Sequence, residues 1–352
     1  TGKAAKRMEE STGKQSQTIH RLLEYKEGDF QRNESNPLEA DVVLIDESSM
    51  IEQELMYALL KALPPECQLI LVGDKNQLPS VGAGRILADI IAADICPVIE
   101  LKKIYRQSEE SYIAEAAHGI LNGKVPYPWK KEKKIKDFYF IPVDSSNKEK
   151  AADIVAQYAG RKVSEFCKKN VQVLTMTRIR ATGCEHLNLK IKDIVNPSDG
   201  IKKEYKNFTE GDQIIQIKNN YNLIRTYPDN MRIFGVFNGD TGRIIEIDDE
   251  TIKVEMDDES VVFYDYNDMD QVELSYAITT HKSQGSEYAV ALIPVFDFIP
   301  TLTDRQLIYT AITRAKEMVV MVGDYKILQM IIRNTRSIKR NTRLKKLLEE
   351  GR

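Results

Sequence analysis

Two short apolar runs constrain this chain more than any other feature. Val42-Val43-Leu44-Ile45 stands directly before Asp46-Glu47, and "CQLILVGD" carries a second run into Gly73-Asp74. Each run is aliphatic, unalternated and too short for a helix, which is the pattern of a strand buried on both faces of a parallel sheet. Helical stretches near 51–62 and 84–93 and a short strand at 97–101 complete a strand-helix alternation. That alternation predicts an α/β fold with doubly wound parallel sheets.

Ligands of such sheets bind outside the carboxyl ends of the strands, so Asp46 and Glu47 are placed where a nucleotide would sit. There an Asp suits Mg²⁺ and a neighbouring carboxylate suits a base that orients water. The competing reading is a strand ending in an ordinary polar turn. A phosphate cradle of the form G-x-x-x-x-G-K-[ST] would decide between them. None is present: "TGKA" at 1–4 and "TGKQ" at 12–15 lack the hydroxyl, and "GILNGKV" is one residue short. Either the chain is not of the P-loop class or its first strand lies before residue 1, and the first residue is Thr1 rather than Met.

At 352 residues the chain has room for two or three domains, and 42% hydrophobic with 29% charged residues describes a soluble globular protein. No apolar run approaches the roughly 18 residues of a membrane span, and no signal-peptide pattern opens the chain. Cys67, Cys96, Cys167 and Cys184 have no metal-binding spacing, as expected of reduced thiols in a cytoplasmic protein. The net charge of −3 hides an uneven distribution. Residues 246–270 carry eleven acids against one Lys, whereas 326–352 carry nine bases against two acids. The basic tail reads equally well as a solvated helix face or as a nucleic-acid contact.

Helical character opens the chain and resumes at "TIHRLLEY"; residues 26–40 read as a surface loop or a short hairpin. A helix at 111–121 and the loop "GKVPYPWKKEKK" precede a second α/β region over roughly 138–200, with strands at 138–143 and 171–176 and helices at 148–159 and 182–191. Between 207 and 272, short strands at regular spacing with Gly, Asn and Asp turns predict a small inserted β-barrel. Strands at 289–294 and 318–322 then resume the α/β pattern.

Three further segments carry chemistry. "GDKNQLPSVGAG" places Gln77 on the loop after the second run, where it could sense a γ-phosphate or only shape a turn. "IYRQS" and "YTAITRAK" supply Arg106 and Arg314, cations suited to phosphoryl oxygens or to surface ion pairs. "TTHKSQGSE" groups hydroxyls, Lys282, Gly285 and Glu287 in a way that suits a nucleotide or a nucleic-acid backbone.

In this order and spacing, the motifs resemble motifs II to VI of superfamily 1 helicases, and most closely the RecD/TraA branch. "GDKNQLPSVGAG", "THKSQGSE" and "YTAITRAK" carry the resemblance, "TGKAAKRM" resembles motif Ia, and the likeness extends from residue 1 to about 324. The family's motif I would lie upstream, so the resemblance implies a C-terminal fragment, inactive alone, of an ATP-dependent helicase moving 5′ to 3′ on single-stranded DNA in recombination or repair. It implies two RecA-like motor domains, 1–104 and 105–206 with 273–352. A strand-separating pin would occupy 26–40, and an SH3-like barrel 207–272.

The implied cofactors are ATP and Mg²⁺. Asp46 would hold the metal, Glu47 would orient water, Gln77 would sense the γ-phosphate and Arg106 and Arg314 would be arginine fingers. Gly285 and Glu287 would meet the nucleotide. Thr1, Lys3, Thr18, His20, Thr280, His281 and Lys282 would contact the DNA backbone, with duplex junctions and subunits of a recombination nuclease complex as further partners. In the barrel, Lys218, Tyr221, Arg225 and Tyr227 read equally as strand-contact candidates or as ordinary barrel surface. The rival reading is a module that binds single-stranded nucleic acid without hydrolysis.

Overall fold

The computed structural model describes residues 2–26, 28–101, 111–126, 137–166, 170–335 and 340–351, with the side chain of Lys3 outside the description. Strand Val42–Ile45 pairs in parallel with Gln68–Leu71, Val42 opposite Gln68 and Ile45 opposite Leu71. Val43 and Ile45 are buried with Met56, Leu59 and Ala62 of helix Gln53–Ala62 and with Leu23, Leu38 and Ile51. Val42 and Leu44 remain 53% and 46% exposed. The expectation of burial on both faces therefore fails here. Among the described residues the sheet has two strands, and its apolar partners lie on one side. The expected strand at 97–101 is also absent, and Ile99 and Leu101 are about nine-tenths exposed there. Of the two readings of 26–40, a two-residue antiparallel hairpin forms at the start, Tyr25–Lys26 against Asp29–Phe30, and a loop follows.

Among the described residues the second parallel sheet has five strands in the order Ala277–Thr279, Val171–Thr175, Tyr288–Val295, Ala315–Gly323, Phe138–Pro142. Both of its faces are covered. Helices Lys148–Phe166 and Cys184–Val195 pack Val155, Leu187 and Ile191 against Val173, Leu292 and Val320. On the other face Tyr112–Leu121, Arg305–Thr313 and Tyr325–Arg333 pack Ile113, Leu307 and Leu328 against Leu174, Ile293 and Met321. Each fully buried aliphatic side chain contributes about 1.5–3 kcal/mol relative to exposure, so covering both faces stabilises this sheet more than covering one would.

Between these strands lies a seven-stranded antiparallel sheet running from Gln213–Gln216 to Val272–Leu274 in sequence. Strand Thr251–Met256 alternates, with Ile252, Val254 and Met256 turned into the core. Arg225 is buried, donating to the Gly235 carbonyl at 2.9 Å and ion-paired with Asp240 and with Asp258 at 2.8 Å. It is thus unavailable for strand contact, contrary to expectation. Tyr227 donates to Asp258 and Lys218 pairs with Asp270, while Tyr221 stays exposed.

The basic C-terminal segment folds back on the first sheet. Helix Leu344–Glu350 lies along helix Ile86–Ala93, and Arg340 Nη1 donates to the carbonyls of Gly82 (3.0 Å) and Gly84 (3.2 Å). The Thr342 hydroxyl donates to buried Asp89.

Candidate functional site

The carboxyl end of Val42–Ile45 turns sharply into a one-turn 3-10 helix, Ser48–Met50, and Glu47 absorbs the turn at φ 51°, ψ 36°. A left-handed Glu is uncommon and costs on the order of 1 kcal/mol, so its neighbours must hold it. They do: the Glu47 N–H donates to Asp46 Oδ1 at 2.8 Å, and the Ser48 N–H and hydroxyl both donate to the Val72 carbonyl. Gly73 makes this possible, since a Cβ there would stand 2.8 Å from Ser48 Oγ and 3.0 Å from two backbone nitrogens. The two strand ends thus abut, with exposed Asp46 and half-buried Glu47 at the rim.

Opposite them stands the second sheet. Arg314 caps helix Arg305–Thr313, is buried, and brings Nη1 to 3.9 Å from Glu47 Oε1. The same Nη1 donates to the Ser286 carbonyl at 3.3 Å. Burial pulls the Arg314 guanidinium below its ordinary pKa, and Glu47 is the largest opposing influence. Among the described residues its Nε is buried without a hydrogen-bond partner, as are Gln77 Oε1 and Ser49 Oγ. Buried polar atoms of this kind ask for a partner. Gln77 and Ser49 line a cavity of about 10 Å³, which fits about one water molecule.

The Gln77 loop is tied across the cleft. Tyr309 donates to Asp74 at 2.6 Å, the Leu78 N–H to Thr310 Oγ1 at 2.9 Å, and Gln284 Nε2 to the Leu78 carbonyl at 3.0 Å. Farther along, Glu287 is nearly enclosed and pairs with Arg7 and with Lys316 at 3.1 Å. Arg7 also donates to the Gly285 carbonyl at 3.4 Å. Burial, then the nearby Arg314 charge, lowers the Arg7 pKa. A cleft of about 310 Å³ opens here between helix Gly2–Thr12, the antiparallel sheet and the Gly285–Tyr288 loop, a volume at the small end of ligand pockets.

The residues proposed for the DNA track are dispersed. Thr18 caps helix Ile19–Leu22, accepting from the Arg21 N–H at 3.4 Å. His20 packs its ring near Tyr25 (5.6 Å) and Phe30 (5.8 Å), and burial lowers its pKa. Thr280 is fully buried with its hydroxyl donated to the Thr175 carbonyl, so that side chain is already engaged. His281 is half-buried and its pKa is also lowered by burial. Lys282 reaches Glu273 at 2.9 Å. Thr1, Arg106 and the Lys3 side chain lie outside the described residues.

Three family models match successive parts of the chain: an AAA domain over 1–83, the SH3 domain of ATP-dependent RecD-like DNA helicases over 187–257, and the C-terminal domain of UvrD-like helicases over 274–322. The ATP-dependent RecD2 DNA helicase of Deinococcus radiodurans is 33% identical over 98% of this chain and 45% of its own length. The RecD subunit of the RecBCD enzyme of Mycolicibacterium smegmatis is 30% identical over 92% of this chain and 60% of its own length. The chain belongs with the RecD-like helicases. It spans about half the length of these curated relatives. The solved structure of two coordinating Pif1 helicases at forked duplex DNA superposes with a TM-score of 0.50, covering 91% of the RecD-like chain and 79% of its own at 18% identity. That likeness shows a shared fold.

The RecD-like chain also holds residues that sequence reasoning missed. Arg7, Tyr309, Thr310 and Gln284 all lie within the quoted motifs yet have no role assigned from the sequence, and Gln284 ties the Leu78 loop to the second sheet. Their partners are more than 200 residues away, beyond any local pattern. Among the described residues no helix is long and apolar enough to cross a bilayer.

Proposed function

We propose that this chain supplies the two motor units and inserted SH3-like domain of a cytoplasmic, ATP-driven DNA helicase that moves 5′ to 3′ on single strands. The motor units are residues 1–104 and 105–206 with 273–352, and 207–272 form the insertion. The observation that carries the reading is the meeting of Glu47 and Arg314 across the cleft, with Gln77 Oε1 and Arg314 Nε buried and unpartnered beside it. In this reading Glu47 orients the attacking water, and Arg314, together with Arg106, draws charge off the transferring phosphoryl group. Gln77 senses the γ-phosphate and passes its state through the Leu78, Thr310 and Gln284 hydrogen bonds. Gly285 and Glu287 meet the nucleotide, where Arg7 and Lys316 now neutralise the carboxylate.

Mg²⁺ fits this donor set. No group of three acidic or metal-binding side chains clusters among the described residues, and an ion held by one carboxylate and by substrate phosphates needs none. Asp46 would be that carboxylate. The sequence contains no phosphate-cradling loop, so the 352-residue chain by itself is expected to hydrolyse ATP weakly. Thr1, Lys3, Thr18, His20, Thr280, His281 and Lys282 are the proposed strand contacts, of which Thr280 already donates its N–H and hydroxyl to the Thr175 carbonyl, with duplex junctions and nuclease subunits as further partners. The 5′ to 3′ direction rests on the resemblance to the RecD branch.

The test is DNA-stimulated ATP hydrolysis by this chain and by a longer form carrying a phosphate-binding loop, each with and without Glu47→Gln. Activity in the longer form, lost on substitution, supports the motor. Strand binding with no hydrolysis in either form replaces it with a non-hydrolysing binding module. Displacement assays on 5′- and 3′-tailed duplexes check the direction.

A further inference from the structure

Arg178 and Lys282 converge on a single carboxylate. Lys282 Nζ lies 2.9 Å from Glu273 Oε2, and Arg178 Nη2 lies 2.6 Å from Glu273 Oε1. The two cations occupy matching places: Thr175 and Thr279 are register partners in adjacent parallel strands, and each cation follows three residues later. Both therefore stand at the carboxyl edge of the sheet, where ligands of α/β sheets bind. Glu273 comes from elsewhere. It lies on Val272–Leu274, the last strand of the antiparallel sheet, between two buried neighbours. Arg178 is 56% exposed, and its Nε is retained by Glu185 at 2.5 Å. It would keep its orientation if Glu273 withdrew.

A carboxylate bridging two cations presents two anionic oxygens from one centre, as a phosphodiester does. We propose that Arg178 and Lys282 form a backbone-phosphate site for single-stranded nucleic acid, which Glu273 fills as an internal anion until a strand displaces it. The inference rests on the reading of Lys282 as a strand contact and adds Arg178 and Glu273 to it. Because the cations belong to the parallel sheet and Glu273 to the antiparallel one, any tilt of the latter changes how firmly the strand is held.

The test is equilibrium binding of a fluorescein-labelled oligothymidylate, read by anisotropy without nucleotide across a salt series, for the chain and its variants. Glu273→Gln frees two cations and is expected to tighten binding about threefold to tenfold at low salt, with a steeper salt dependence. Arg178→Ala and Lys282→Ala should each weaken binding and flatten the log–log salt slope by about 0.7, the share of one single-strand phosphate contact. Arg178→Lys should retain the slope. If Lys282→Ala weakens binding while Glu273→Gln and Arg178→Ala change neither affinity nor slope, the proposal is overturned and the strand reading of Lys282 stands. If none of the three changes binding, both fall. Weaker binding by Glu273→Gln, with an unchanged thermal melt, would mark Glu273 as a direct strand contact and also overturn the proposal.

Discussion

Strand Val42–Ile45 and strand Tyr288–Val295 are both aliphatic runs in parallel sheets, yet the first leaves alternate side chains in solvent and the second buries most of its length. The difference lies in what surrounds them. Tyr288–Val295 has a strand on either side and helices on both faces, whereas Val42–Ile45 has one paired strand and apolar partners on one face among the described residues. Burial is thus a property of the assembled layers, and an apolar run only permits it. The candidate site sits where the two sheets meet, so its chemistry draws on one wall packed on a single face and one packed on both.

The largest effects test whether both walls act on one reaction. In a form competent to hydrolyse ATP, Glu47→Gln on the first wall and Arg314→Gln on the second should each lower kcat by about 10³-fold. Groups that act as a unit are strongly non-additive, so the double variant should be little slower than the worse single one. Fully multiplicative losses, measured by steady-state hydrolysis, would separate the walls.

Stability comes next. Leu292→Ala, at the fully buried centre of the five-stranded sheet, should cost about 3 kcal/mol in urea unfolding. Leu44→Ala, on the open face of the two-stranded sheet, should cost less than about 1 kcal/mol. Equal losses would show that the outer face of Leu44 is covered in solution and would remove the contrast.

Smaller is the contribution of the ties between the walls. Tyr309→Phe removes the hydrogen bond to Asp74 while leaving the ring, and about 1 kcal/mol of coupling is expected to go with it. Its signature is a weaker DNA stimulation of hydrolysis with the unstimulated rate little altered. An unchanged stimulation ratio would mean that the Asp74–Tyr309 bond carries no signal.

The smallest effect is a pH dependence. Burial lowers the folded-state pKa of His281 and of His20, so the unfolded chain binds more protons in the window below the ordinary histidine range. Their contribution is fully present above the unfolded pKa and declines as pH falls through that window. The melting temperature of His281→Gln should accordingly drop less between neutral pH and mildly acidic pH than that of the parent chain. A parallel decline in both proteins would exclude the His281 contribution.

The α/β class, the strand preceding Asp46-Glu47 and the inserted antiparallel region were all legible in the chain, because they depend on period and on turn residues within about ten positions of one another. The sequence presents Arg314 only as a cation suited to phosphoryl oxygens or to a surface ion pair, and its meeting with Glu47 has no local signal. Its geometry depends on Gly73, whose missing Cβ lets the strand ends abut, and that requirement appears only when Ser48 is seen beside it. Thr280 shows the limit of motif reasoning: a hydroxyl in a polar motif is as useful for bonding the adjacent strand as for meeting a ligand, and its neighbour Thr175 decides. Arg225 repeats the lesson, since a cation on a barrel strand reads as a candidate for strand contact, and only the presence of Asp240 and Asp258 beside it shows that it is buried and paired.

The returning C-terminal helix has a mechanical consequence. Chain that leaves the five-stranded sheet after Tyr325–Arg333 comes back to dock at Arg340, Thr342 and Leu344–Glu350 on the first sheet, closing a covalent circuit through both walls. While that helix stays seated, the walls are held together at two separate points and remain at high effective concentration relative to each other. Reclosure of the cleft is then an intramolecular event rather than a fresh encounter of two bodies.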